Sequence, residues 1–459
     1  MQDTPKGPPP GNPLGEKPVS RLLLQFAIPT IVSTLIGSLY NMVDQVFIGQ
    51  RIGYLGNAAT TVAYPLTILS GALTLLMSNG AGVNFNLLNG RGKKDEAMQF
   101  AGNGVTLLCL EGLALALVVG LFTPFFVQIF GATEEVAPYA LTYMRIIAIG
   151  LPFLSLTSGG SLLLRSDGSP QKALICSLTG VGANFVLDWL FLFPLNLGVG
   201  GAALATILGQ ILSAAMVLHY LRRFRTAPFR RPHFRLSGER FRRIAAVGAA
   251  ASLNQAAMLL MNLVLNNALR HYGALSVYGG SEALAAAGVV TKVNFLFFST
   301  IIGCSIGAQP IIGFNYGAGK HRRVIETYRL VLRYALIVGA VETACFWLFP
   351  RQILSLFGSG VTGYEAFALR YMHEFMLLVV LAGIPPISMN VMSGIGKAKK
   401  GVMISMSKQL LLMLLLLILP RLLGIDWLLY AGPAADLTAA VCSFLVLRPE
   451  FQRMRELAA

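Results

Sequence analysis

The chain is 459 residues long, 55% hydrophobic and only 12% charged, with a formal net charge of +16. A soluble protein carries a charged fraction of about 25%, and apolar stretches of about 20 residues, enough to cross roughly 30 Å of hydrocarbon, recur here from end to end. That excludes an ordinary soluble domain, and because the runs are continuous rather than alternating it also disfavours a β-barrel; an all-α polytopic membrane protein is predicted.

In chain order, the Pro/Gly-rich MQDTPKGPPPGNPLGEKPVS reads as a disordered cytoplasmic tail over 1–20. No short apolar core with a cleavage site follows it, so no removable signal peptide is expected. Spans are expected near 21–49, 57–88, 98–122, 138–162, 171–193 and 198–221, an N-terminal six-helix lobe over 21–221. A basic cytoplasmic linker follows over 222–242. The second lobe, 243–447, has spans near 243–269, 283–314, 325–349, 364–393, 401–420 and 427–447, and 448–459 is a second cytoplasmic tail. The linker stretch RRFRTAPFRRPHFRLSGERFRR interleaves arginines with aromatics as an RNA-binding segment does. The positive-inside rule explains it better, and no nucleic-acid partner is expected. Most of the 36 Lys and Arg fall in the tails or after even-numbered spans, and only Arg51, Arg270, Arg351 and Arg421 occupy the opposite loops. Both termini are therefore expected in the cytoplasm of a cell membrane.

The five cysteines sit singly in apolar runs and the five histidines are scattered, so neither a disulfide framework nor a His/Cys metal site is expected. A duplication is visible instead. GAGVNFNLLNGRGK (80–93) and GAQPIIGFNYGAGK (307–320) share Gly80/Gly307, Ala81/Ala308, Gly90/Gly317, Gly92/Gly319 and Lys93/Lys320. RSDGSPQK (165–172) aligns with SGIGKAKK (393–400). Six spans per copy give both halves the same orientation, related by an axis along the membrane normal, which suits alternating access. The Gly-Lys pairs lack G-x-x-x-x-G-K-[ST], so no ATP site is expected and energy must come from an ion gradient.

Several segments resemble the multidrug and toxic compound extrusion (MATE) family. NFVLDWLFLFPLNLGVGGAALATILGQ (184–210) resembles its fifth and sixth helices, and YNMVDQVFIGQRIG (40–53) the end of its first. The second half, with NYGAGK and GIGKAKK, leans toward the bacterial DinF/MepA-like branch. The resemblance implies two pseudo-symmetric six-helix bundles forming a V, exporting amphipathic, often cationic compounds while H+ or Na+ enters. It also implies a cation site from an aspartate on helix one, an N-x-x-x-D pair on helix five and a threonine on helix six. Here these are Asp44, Asn184, Asp188 and Thr206, with Pro29 matching a helix-one bending point.

The residues themselves are compatible with that set. Asn184 and Asp188 are four apart and share a helix face. At 1.5 Å per residue, Asp44 and Asp188 lie roughly 8 Å, and Thr206 roughly 12 Å, from the outer ends of their spans. Two carboxylates with amide and hydroxyl oxygens suit a hard cation such as Na+, and packed in low dielectric they could equally hold a proton; separate interfacial aspartates are the alternative. Tyr40 and Asn41, one turn before Asp44, are candidates for the substrate cavity, or for ordinary interhelical packing. Pro29 removes a backbone hydrogen bond and is either a hinge or a static kink.

The acidic cluster is not duplicated in the second lobe. Glu111, Lys292, Glu342, Glu374 and Asp436 are further intramembrane charges, and matching depths of roughly 14–15 Å suggest a Lys292–Glu374 pair. A lipid-linked sugar flippase of the same superfamily is the rival transport reading, but it would be expected to carry more cationic residues along the cleft. A membrane-embedded enzyme would need a catalytic set, and none is apparent. Each chain holds both lobes, so a monomer with membrane lipid and small amphipathic cations as its partners is expected.

Overall fold

The computed structural model describes residues 12–355 and 362–457, and among them every regular element is helical. Eleven helices are each long and apolar enough to span: Val19–Ile52, Tyr54–Gly90, Lys94–Leu121, Ala137–Ser166, Pro170–Leu192 and Gly198–Leu221 in the first lobe, then Gly238–Ala274, Gly280–Gly317, His321–Leu348, Ala398–Leu423 and Ile425–Glu456. The tenth span, between His321–Leu348 and Ala398–Leu423, is broken. Its halves, Gly363–Phe375 and Val379–Gly394, meet at 51°. The local sequence accounts for the break. Pro385 and Pro386 have no N–H to give to Leu381 and Ala382, and their rings clash with those carbonyls, so the helix restarts at Ile384. Side chains on the outer faces, such as Leu117, Ile149, Ile337 and Phe444, are more than half exposed and form an apolar surface that only hydrocarbon would cover.

Both ends of the described chain, at Asn12 and at Leu457, and the basic linker lie at one end, called here the basic end. Close approaches between the lobes gather in that half, and glycines make them possible. A Cβ on Gly80 would lie 2.0 Å from the carbonyl oxygen of Ile244, and one on Gly248 would lie 1.9 Å from that of Leu76, so the second and seventh spans touch backbone to backbone. The first and eighth spans do the same through Gly303 against Ile31 and Gly307 against Ala27. The pseudo-twofold axis is marked by a reciprocal pair. A Cβ on Gly90 would meet the Phe314 carbonyl at 2.1 Å, and one on Gly317 would meet that of Leu87 at 2.2 Å. These are the glycines shared by the two sequence copies, so the duplication is written into the contact that closes this end. Gln309 adds a hydrogen bond across the lobes to Asn79 at 2.6 Å.

Two expected loops are ordered. The tail expected to be disordered through residue 20 is helical over Pro13–Glu16 and again from Val19, capped by the Asn12 side chain; residues 1–11 lie outside the described chain. Its carbonyls explain why it is held: Asn315 and Arg323 donate to that of Leu14, and Lys320 to that of Gly15, at 2.8–3.2 Å. Pro/Gly content marked a lack of intrinsic helix preference and could not register these donors on another span. The seventh span begins at Gly238, inside the expected linker, and the linker is clamped. Asn103 donates to the carbonyls of His233 and Arg235, and Asp167 accepts from the amides of Arg225 and Thr226 and the Thr226 hydroxyl. Burial nevertheless pushes the Asp167 carboxyl up to about 6. The tail expected from 448 continues the last helix to Glu456, with Glu450 paired to Lys397 and Lys400.

Gly90→Ala forces the Phe314 carbonyl away and is expected to loosen the basic end by about 1–3 kcal/mol, the usual cost of overpacking. Thiol labelling of Asn79→Cys, in a background without native cysteines, should then accelerate about tenfold. Unchanged labelling would mean that the glycine contact does not hold this end shut.

Candidate functional site: a paired-carboxylate pocket in the first lobe

The fifth span turns its polar face inward because its opposite face must meet lipid. Phe185, Val186 and Trp189 are 48%, 60% and 53% exposed, whereas Asn184 and Asp188 are 2% and 1% exposed. Two contacts pin the first span against it. Arg51 Nε donates to the carbonyl of Leu192 at 3.1 Å, and the Phe47 ring packs 5.4 Å from Phe185 and 5.8 Å from Phe193. Two turns before the end of that helix, Asp44 is thereby held against Asp188. The sixth span is brought close by two glycines: a Cβ on Gly209 would stand 2.7 Å from the Gly180 carbonyl and 2.9 Å from the Asn184 Cβ. One turn along the same helix, Thr206 reaches the Asn184 amide at 3.4 Å.

All four residues expected to form the cation site are therefore together. The carboxyl groups of Asp44 and Asp188 are within hydrogen-bonding reach of each other, and Asn184 lies beside Asp188. Tyr40 joins them with its hydroxyl beside Thr206; the side chain of Asn41 lies outside the described residues. Tyr143 on the fourth span is buried near Asp44, Tyr40 and Asp188. It went unnoticed in the sequence, although six residues from the start of its span place it roughly 9 Å deep, level with Asp44.

Charge is the unusual feature. Asp44 Oδ1, Asn184 Oδ1 and Asp188 Oδ1 are buried without a hydrogen-bond donor. The groups acting on the two carboxyls are each other and Asn184, and no lysine or arginine is among them. Two carboxylates touching in low dielectric repel strongly, and a hydrogen bond between them exists only if one proton sits there. A shared proton satisfies the contact directly. A small hard cation would also find two carboxylates, an amide oxygen and a hydroxyl. No group of three or more His, Cys, Asp or Glu suited to a metal ion occurs among the described residues, so a transition-metal centre does not fit.

Pro29 is buried within an unbroken helix. On its basic side the first span packs on the eighth through Ala27, and just beyond it Thr34 donates to the Ser299 carbonyl at 3.1 Å. Towards its far end it is fastened to the fifth span. The proline thus lies within the stretch fastened to the second lobe, between that lobe and the carboxyl pair. Glu111 faces the interior of the first lobe, accepting from Thr74 at 3.5 Å.

The expected Lys292–Glu374 pair is absent. Lys292 is exposed, and Glu374 is held by Arg370 one turn earlier at 2.7 and 2.8 Å. Depth along a helix fixes height but not direction, and Lys292 points outward. Arg370 also bonds Asp426 and the Tyr278 hydroxyl. The buried charges that do meet in the second lobe are Lys408 and Asp436, 2.6 Å apart, with Glu342 beside them. Lys408 was missed because its span, rich in leucine, reads as lipid-facing.

The MatE family profile matches residues 29–190 and 250–418, most of the chain. The chain is 23% identical to the multidrug export protein MepA of Staphylococcus haemolyticus, over 94% of this chain and 93% of that one. It is 25% identical to the probable multidrug resistance protein YoeA of Bacillus subtilis, over 74% and 73%. A FAD transporter of Shewanella oneidensis is 25% identical over 94% and 95%. Among solved structures, a MOP superfamily transporter from Pyrococcus furiosus superposes with a TM-score of 0.89 at 21% identity, over 98% of this chain and 99% of that one. A multidrug resistance MATE transporter in an outward-facing conformation also gives 0.89 at 21%, over the same shares.

Thr206→Val keeps the shape of the pocket but leaves the Asn184 amide without a partner and the Tyr40 hydroxyl without a polar neighbour at that point. Each buried unsatisfied group costs about 1–3 kcal/mol, so the thermal midpoint should fall by several degrees while Thr206→Ser stays near wild type. Equal midpoints for all three would show that Thr206 holds neither group.

Proposed function

This chain belongs to the MatE family, and on that premise we propose that it is a secondary active multidrug exporter. It expels amphipathic, often cationic organic compounds by antiport against one inward-moving monovalent cation, H+ or Na+. The observation that carries this reading is the contact between Asp44 and Asp188, without a basic partner, at the junction of three spans. Occupied by a positive charge, the pocket holds the first and fifth spans together. Empty, its two carboxylates push the first span away. Because that span is also packed on the eighth, occupancy of the pocket bears on how the lobes sit against each other.

The closed contact at the basic end corresponds to an outward-facing state with both termini in the cytoplasm, which the clustering of Lys and Arg there supports. Export then proceeds with the cargo in the cleft between the lobes and the coupling ion entering the pocket from outside. Tyr40 gives the pocket wall a flat apolar ring and a hydroxyl, suited to an amphipathic cation. Both lobes sit on one chain, so a monomer is the working unit. The fold itself does not select cargo, since relatives of nearly equal similarity are named for drugs and for FAD.

The test is uphill transport of ethidium by purified protein in proteoliposomes, under a proton or a sodium gradient imposed separately. Asp44→Asn and Asp188→Asn are each expected to reduce gradient-driven transport ~100-fold, the scale of removing one partner from a buried charged set. Wild-type rates in both variants would refute the assignment, and the gradient that drives the native protein identifies the ion.

A further inference from the structure

Buried inside the second lobe is a cluster that the first-lobe pocket does not explain. Glu342 on His321–Leu348 is 1% exposed, and Asp436 on Ile425–Glu456 is 6% exposed. Lys408 on Ala398–Leu423 donates to Asp436 at 2.6 Å. The groups that face Glu342 are the Asn294 amide from Gly280–Gly317, the Asp436 carboxylate and the Lys408 ammonium. Among the described residues of the tenth span, the apolar Val379–Leu381 pack against this helix, while His373 is turned to the Trp347 ring and Glu374 is paired with Arg370. The first span contributes apolar residues such as Leu23 and Phe26 to the core nearer the basic end. Two acids and one base leave one negative charge uncompensated, and Glu342 Oε1 is buried without a hydrogen-bond donor, while the Lys408 ammonium lies against Asp436 Oδ1. An isolated charge is not tolerated in such a setting; it is neutralised or paired.

From this juxtaposition we propose that Glu342 is the proton-binding group of a second ion site, with the Lys408–Asp436 pair as its fixed counter-charge and the break in the tenth span as the element it moves. The ligand is a proton rather than a metal cation, because the Lys408 ammonium already occupies the cationic position and repels a second cation. The break is physically linked to the site. Gly339, one turn before Glu342, packs so closely on Val380 that a Cβ would lie 2.7 Å from its Cα. Asn294, which faces Glu342, donates to Met376 Sδ at 3.6 Å, within the interrupted segment. Interrupted membrane helices recur at ion sites because their two halves can shift while their backbone stays buried in protein. Protonated, Glu342 becomes a neutral donor that Asp436 can accept from; ionised, it competes with Asp436 for Lys408 and draws on Asn294, loosening the grip on Met376.

The inference builds on the export reading, but its test does not depend on transport. Infrared difference spectra of detergent-purified protein, taken across a pH titration in H2O and D2O, report protonated carboxylic acids directly. In the background Asp44→Asn/Glu111→Gln/Asp188→Asn, one of the titrating carboxylic bands that remain is expected to be insensitive to added sodium, to vanish with Glu342→Gln and to return shifted with Glu342→Asp. In the same background Lys408→Gln should move its midpoint upward by at least about tenfold in proton affinity, because a facing cation is lost. If Glu342→Gln does not fold, the Lys408→Gln shift decides alone. A titration in which no band responds to both substitutions, or displacement of the responding band by sodium, would overturn the proposal. Absence of uphill ethidium transport by the wild-type protein, with the band intact, would instead count against the export reading.

Discussion

The structure turns on two carboxyl groups that touch without a base to separate them. Asp44 and Asp188 come from helices far apart in sequence, and each is placed by ordinary forces. Phe185, Val186 and Trp189 commit one face of the fifth span to lipid, and Arg51 and Phe47 tie the end of the first span to it. Two small residues, Gly180 and Gly209, let the sixth span close in with Thr206. Apolar packing and glycine spacing thus hold together an arrangement that electrostatics alone would drive apart. A positive species is what, on the function proposed above, reconciles the two.

The first span is the mechanical link between that pocket and the rest of the molecule. By connectivity it belongs to the first lobe, yet around Pro29 it packs on the eighth span of the second. A force on Asp44 is therefore delivered across the lobe boundary. At the other end of the same boundary, the reciprocal glycines Gly90 and Gly317 bring two backbones into contact along the pseudo-twofold axis. Such a contact has few side chains to rearrange, and it can open and reclose without rebuilding a core.

Much of this was legible in the sequence, for particular reasons. Long apolar runs and the placement of Lys and Arg fixed the number and order of spans, and the shared glycines of residues 80–93 and 307–320 foretold a duplicated contact. Asn184 and Asp188 were readable because i, i+4 spacing sets direction as well as depth. Where only depth was available, the reading failed: Lys292 and Glu374 are level but do not face each other, and Arg370, one turn from Glu374, takes its place. The break in the tenth span was written in Pro385 and Pro386 but was masked by a continuous apolar run. The docking of Asn12–Lys17 depends on donors from Asn315, Lys320 and Arg323, a relation between segments some 300 residues apart that local composition does not encode.

The most direct measurement is the equilibrium count of positive charge taken up by purified protein, combining proton uptake with radioactive sodium binding, for the native chain and for Asp44→Asn/Asp188→Asn. The account requires a difference of one positive charge per chain between the two, with proton and sodium competing wherever both bind. No difference between them would contradict it.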